Sequence, residues 1–179
     1  MNPAEELELI KGCLRNDRKA QRQLYQQYKV QLFRLCLRYG KNRVEAEDML
    51  QEGFITIFRD LKYFTHKGPL GGWMRKVVIN CCLQYIRKNN KKQYWVEMEE
   101  FPDIEEEAIE LPTSRLQELT QLIQKLPSGY RTVFNLYVLE GYTHKEIAQV
   151  LSIHINTSKS QLSKAKKMLR KLLETKMVS

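Results

Sequence analysis

Apolar residues recur at helical spacing over nearly the whole chain, and no stretch shows the strict alternation of a half-buried strand. Leu7, Ile10 and Leu14 form a first stripe, preceded by Asn2-Pro3-Ala4-Glu5. That order puts Asn at the N-cap, Pro at the first helical position and Glu at the third. Asp17 is placed to cap a second helix with Leu24, Tyr28, Leu32, Leu35 and Tyr39 inward and Gly40 as its stop. Val44, Met49, Leu50, Ile57, Phe58 and Leu61 mark a third helix. The segment FTHKGPLGG (64–72) interrupts the period and reads as a loop, after which residues 73–91 make a fourth helix. Leu116, Leu119, Ile123 and Leu126 form a stripe that ends at Pro127, and Tyr130, Val133, Phe134, Tyr137 and Val138 form another, stopped by Gly141. Thr143 and Glu146 then make a capping box before Ile147, Ala148, Val150 and Leu151. Residues 152–155 allow only a turn. Asn156 or Thr157 starts the last helix, which runs toward Leu172. The fold class is therefore all-α: an N-terminal four-helix bundle and a smaller C-terminal helical cluster.

Charge divides the chain further. The 179 residues carry a net charge of +9, which favours a polyanionic partner, nucleic acid or an anionic membrane surface. Residues 1–95 hold 19 bases and 9 acids, residues 96–113 hold 8 acids and no base, and residues 114–179 hold 11 bases and 4 acids. Two basic domains, 1–95 and 114–179, are thus joined by an acidic linker, 96–113, containing Pro102 and Pro112. The linker reads either as a solvated, self-repelling loop or as an acidic segment that occupies a basic channel in a partner. The opening MNPAEELELIKG has no apolar core segment, and no window approaches 18 apolar residues, so the expectation is a cytoplasmic protein without membrane insertion. Cys13, Cys36, Cys81 and Cys82 sit in apolar stripes without metal-ligand spacing, and His66, His144 and His154 stand apart. No metal and no cofactor are expected.

The candidate chemistry is recognition. A short capped helix, a turn and a second polar helix form a helix-turn-helix pattern, with Ala148 small where two helices must approach. The second helix offers Thr157, Lys159, Ser160, Gln161, Ser163 and Lys164 to phosphates and base edges, and no acid interrupts it. In the N-terminal half, Arg75, Lys76, Arg87, Lys88, Lys91 and Lys92 could track a phosphate backbone beside aromatic residues. Trp73 reads as a core aromatic or a stacking platform, and Tyr63 and Phe64 at the loop edge carry the same ambiguity. Asp48 and Glu52 lie four apart on one helical face near Gln51, either as a solvated acidic face or as a docking site. No nucleophile, metal set or phosphate loop stands near them, so an enzyme is not expected.

LPSGYRTVFNLYVLEGYTHKEIAQVLSIHINTSKSQLSKAKKML resembles the DNA-binding region four of bacterial sigma factors. RVEAEDMLQEGFITIFRDLKYF and GGWMRKVVINCCLQYIRK resemble region two of the same family. The short chain fits the extracytoplasmic-function (ECF) group, with a region 2-like bundle and a region 4-like helix-turn-helix domain. The sequence departs from the family pattern at Ser152, where the turn usually has Gly, and at Ser158, where an apolar packing residue is usual. Lys also stands for several expected Arg residues.

The resemblance implies that Asp48, Gln51 and Glu52 dock on the polymerase clamp. It assigns Tyr63, Phe64, Lys67, Arg75, Lys76, Asn80, Arg87 and Lys88 to the −10 element, with Asn80 and the glycine-rich loop capturing a flipped base. Asn80, in the apolar run VVINCC, reads from its surroundings as a satisfied core amide or the floor of a polar pocket. Thr143, Asn156, Thr157, Lys159, Ser160, Gln161, Ser163 and Lys164 go to the −35 element. The implied partners are core RNA polymerase at its clamp and flap, promoter DNA, and an anti-sigma factor of the membrane-anchored kind. Two rivals remain on residues alone: a helix-turn-helix regulator that acts without polymerase, and a module whose basic faces bind an acidic protein.

Overall fold

The computed structural model describes residues 3–89 and 115–178. These residues fall into two separate units, divided at Lys88–Asn89. No strand occurs among the described residues. The linker 96–113 and the expected Asn2 cap lie outside them.

The N-terminal unit holds α1 (Pro3–Leu14), α2 (Arg18–Tyr39), α3 (Arg43–Asp60) and α4 (Leu70–Asn89). Helix α2 packs on α1 and α3. Asp17 caps α2 as the sequence predicts, its carboxylate accepting from Lys19 N–H at 2.8 Å. Gly40 ends the helix, but with φ −67° rather than a left-handed conformation. Its glycine identity comes from crowding: a Cβ would stand 3.1 Å from both Ala46 N and Asn42 O. Asn42 in turn caps α3 through Glu45 N–H.

Leu24, Leu32, Leu35, Cys36 and Tyr39 line the core from α2, while Tyr28 is half-buried. From α3 come Ala46, Met49, Gly53, Phe54 and Ile57. The expected α1 stripe is rotated: Leu9, Ile10 and Cys13 face inward, and Leu7 and Leu14 are 41% and 48% exposed. Helix α1 rides so close on α2 at this face that a Cβ at Gly12 would collide with Ala20 at 2.6 Å. Val44, expected inward, is 66% exposed, and Ala46, whose backbone lies close to Gly40, is buried instead.

The loop after α3 is shorter than the sequence suggests. Leu61–Tyr63 form a 3-10 turn, and α4 begins at Leu70, so Gly71 and Gly72 are helical. Pro69 O accepts from Gly72 and Trp73 N–H and opens that first turn. Gly71 lets the turn approach the Tyr28 ring, which an added Cβ would meet at 3.0 Å. Further along, Val78 fills the space over Gly53, and Cys82 meets Cys36. All four cysteines are buried free thiols. Burial pushes the Cys13 thiol up to about 11, which keeps it protonated and unreactive at neutral pH.

The C-terminal unit holds α5 (Arg115–Gln124), α6 (Ser128–Phe134), a π turn (Asn135–Leu139), α7 (His144–Leu151) and α8 (Ile155–Val178). Helices α5, α6 and α7 all pack on α8. Leu122, Leu126, Ala165 and Leu169 form the buried centre, flanked by Tyr130, Phe134, Met168 and Leu172. The stripe predicted through Tyr137 and Val138 does not hold. The π turn, closed by Glu140 N–H on Asn135 O, adds a residue to the turn and rotates the face. Asn135 and Leu136 go inward, and Tyr137 and Val138 are 38% and 45% exposed. Leu119, expected in the α5 stripe, is also 39% exposed. Gly141 stops the segment at φ +75°, a left-handed conformation that glycine adopts without steric cost.

Candidate nucleic-acid and polymerase interfaces

The helix-turn-helix is built from α7, the turn at Ser152–His154 and α8. Its entry is the expected capping box. Thr143 N–H and Oγ donate to Glu146 at 2.8 and 2.7 Å, and Thr143 Oγ accepts from Glu146 N–H. Those backbone and side-chain bonds hold the Glu146 carboxyl below its usual range. Ser152 closes α7 in the left-handed region at φ 56°, ψ 46°. A non-glycine residue there costs about 1 kcal/mol, so the turn is made at a strain that glycine would relieve. The His154 ring then accepts from Asn156 N–H at 3.2 Å, and α8 starts at Ile155, ahead of the expected Asn156 or Thr157. Sequence reasoning missed this imidazole cap because Ser, Thr, Asp and Asn are the usual signals.

Two faces of α8 separate cleanly. Ser158, Gln161, Leu162, Ala165 and Leu169 point inward. Asn156, Lys159, Ser160, Ser163 and Lys164 are exposed, Thr157 is half-buried, and Ser160 Oγ donates to Thr157 O. Gln161, expected among the base readers, is 8% exposed. Its amide lies over Gly129, whose missing side chain makes the room: a Cβ there would come within 2.9 Å of Gln161 Oε1. Ser158 is fully buried, and its Oγ stands 2.9 Å from His144 Nδ1. Tyr137 stacks on the His144 ring at 4.5 Å. Partial burial, with Lys159 and Lys166 nearby, holds the imidazole below its ordinary range and so neutral. His144, set apart in the sequence, is thus tied to the helix it was not assigned to.

In the N-terminal unit, Lys76, Asn80, Gln84, Arg87 and Lys88 are exposed along one side of α4 at three- and four-residue steps. Asn80 is therefore not a core amide; its neighbours Val78, Ile79, Cys81 and Cys82 turn inward and leave it on the open face. Arg75 is half-buried and Lys67 exposed. Tyr63 is 67% exposed, with Lys62 Nζ 5.0 Å from its ring centroid. Phe64, by contrast, is 9% exposed and packs against Trp73 at 5.5 Å and His66 at 4.6 Å between ring centroids, which favours its core reading. Trp73 is half-buried in the same aromatic cluster.

The acidic face lies on α3. Asp48, Gln51 and Glu52 are all exposed, and Asp48 accepts from Tyr85 OH of α4 at 3.2 Å. Val44 and Ile55, 66% and 52% exposed, extend the same face at helical steps on either side. The sequence held that signal, because Val44-Asp48-Glu52 is one i, i+4 series with Ile55 three further on. The apolar reading of Val44 and the silence on Ile55 hid it. No cluster of His, Cys, Asp and Glu suited to a metal occurs among the described residues.

An all-α chain with an exposed basic helix in a helix-turn-helix, and a second basic helix in a separate bundle, has the elements of a nucleic-acid-binding protein. Residues 24–92 match the family model of sigma-70 region 2, and residues 116–169 match that of sigma-70 region 4. The chain is 29% identical over 178 residues to the ECF RNA polymerase sigma factor SigW of Bacillus subtilis (strain 168), covering 92% of this chain and 94% of that protein. It is 28% identical over 153 residues to SigM of the same organism, covering 84% and 93%. Among solved structures it is similar in fold to the sigma factor RpoE of Bartonella quintana, crystallised with the anti-sigma factor NepR. The TM-score is 0.53 at 20% identity, with 86% of this chain and 96% of that chain covered. The chain belongs to the sigma-70 family and is an ECF RNA polymerase sigma factor, a non-enzymatic subunit that directs polymerase to promoters.

Proposed function

We propose that the two units divide promoter recognition between them. The N-terminal domain, residues 1–95, docks on the polymerase clamp through Asp48, Gln51 and Glu52, with Val44 and Ile55 as apolar flanks. Its α4 face, Lys76, Asn80, Arg87 and Lys88, meets the −10 element together with Tyr63, Lys67 and Arg75. The C-terminal domain, residues 114–179, contacts the flap and reads the −35 element through Thr143, Asn156, Thr157, Lys159, Ser160, Ser163 and Lys164. The acidic linker, residues 96–113, joins the two and runs toward the polymerase channels. The protein works in the cytoplasm and is held in check by an anti-sigma factor, which a membrane anchor would keep at the bilayer; the sigma factor RpoE of similar fold is in complex with an anti-sigma factor, NepR.

The observation that carries this reading is the division of α8. Its first turns expose Asn156, Lys159, Ser160, Ser163 and Lys164 together, while the opposite side closes the core. Such a face can enter a major groove without unfolding anything. Lys159→Ala and Lys164→Ala test it in a holoenzyme on promoters with randomised −35 elements. A lysine on phosphate should weaken binding evenly across sequences and lower the salt slope by about one unit. A residue on a base edge should change preference at one position. Parental slopes and profiles for both variants would take this face off the DNA.

A further inference from the structure

We propose that His144 is a positioning residue for promoter reading: its bond to Ser158 sets the rotation of α8 against α7. The inference rests on the reading of the first turns of α8 as the −35 face, and it names what orients that face. Ile147 and Leu151 of α7 and Leu162 and Ala165 of α8 are buried apolar residues of the helix-turn-helix. Apolar contacts are non-directional and tolerate a small rotation of one helix on the other. A hydrogen bond fixes both distance and direction.

The His144–Ser158 pair is the polar tie, at 2.9 Å, between the first residue of α7 and the first turn of α8. Ser158 is 0% exposed, so no water competes for its hydroxyl from outside. It lies between Thr157 and Lys159 and two residues from Asn156 and Ser160, so turning Ser158 turns all four. The imidazole is itself held. The Thr143–Glu146 capping box fixes the backbone at its N-terminal side, and the Tyr137 ring lies on its face at 25° interplanar angle. Lys166 Nζ stands 6.0 Å from that Tyr137 ring, so α7, the π turn and α8 each place a residue at the stack. An apolar residue in place of Ser158 would give packing without direction, whereas the Ser–His pair gives direction.

A merely structural bond would affect stability and lower every promoter alike. Positioning instead changes which −35 bases are preferred. The full-length chain, reconstituted with core polymerase, should be compared on a library of randomised −35 elements with the −10 element constant. His144→Phe keeps a ring on Tyr137 but loses the bond. Ser158→Ala removes the hydroxyl with little change of volume. His144→Asn places an amide oxygen near the Nδ1 position. Lys159→Ala reports on the face itself, and thermal melting of each chain reports on folding.

His144→Phe and Ser158→Ala should each reduce discrimination between the best −35 element and its single-base variants by about 3- to 10-fold, and His144→Asn should stay within about 2-fold of the parent. Lower output spread evenly over all −35 sequences, in folded Ser158→Ala, would overturn the inference and leave a stabilising bond only. So would a parental profile for Ser158→Ala, while Lys159→Ala weakens −35 use. If Lys159→Ala and both bond-breaking variants are all silent, the −35 reading of α8 falls together with the inference.

Discussion

Asp48→Lys combined with Glu52→Lys should leave a folded protein that no longer binds core polymerase. Both side chains are exposed on one face of α3, and Lys is about as good a helix former as Glu. The tertiary contact at stake is the Asp48 bond to Tyr85 OH, at the surface, where water can replace it. Stability should therefore change by no more than about 1 kcal/mol. The interface loses far more. Reversing two charges against a partner surface that accommodates acids costs several kcal/mol, so affinity should fall more than about 100-fold. Titration of labelled core polymerase, beside circular dichroism of the free chain, decides it. Parental affinity with parental helicity would remove this face from the docking site.

The second large effect concerns promoter opening. Asn80→Ala should leave polymerase binding and −35 use intact and lower the fraction of open complex on duplex promoters by about 10-fold. Asn carries both a donor and an acceptor and can match a base edge, an interaction worth about 1–3 kcal/mol. Extruding a base costs a few kcal/mol in a duplex and least when the strand is already single. A pre-melted bubble template should therefore largely restore the variant. The exposure of Asn80 on α4 makes the test clean, since an exposed amide can be removed without opening a cavity. Permanganate reactivity of the −10 thymines is the readout. Normal opening on duplex DNA would exclude Asn80 from strand capture.

What was legible in the sequence was mostly local. The Thr143–Glu146 capping box, the Asp17 cap and the Gly141 stop involve residues within a few positions of one another, and each holds. The two family segments were legible for the same reason, as contiguous motifs. What failed depended on distant partners. Leu7 and Leu14 have helical spacing, yet α1 buries the face of Leu9, Ile10 and Cys13, with Gly12 close on Ala20, an approach no periodicity shows. Tyr137 and Val138 fit a 3.6-residue period that a π turn breaks. Gln161 looks like a reader until Gly129 is found beneath it. Phe64 and Trp73 could not be sorted without knowing that they face each other, 5.5 Å apart. His144 stood apart in the sequence and Ser158 read as a polar residue at a packing position; 14 residues apart, they tie the two helices of the motif.

The central claim is that one chain carries two DNA-reading faces that act on a promoter only through polymerase. Run-off transcription on linear templates tests it most directly, using purified protein, core polymerase, and promoters altered separately in the −10 and −35 elements. The account predicts no specific binding by the free chain, initiation at the promoter with core polymerase, and loss of initiation when either element is changed. Tight sequence-specific binding of duplex DNA by the free chain, with transcription unaffected by adding it to core polymerase, would contradict it.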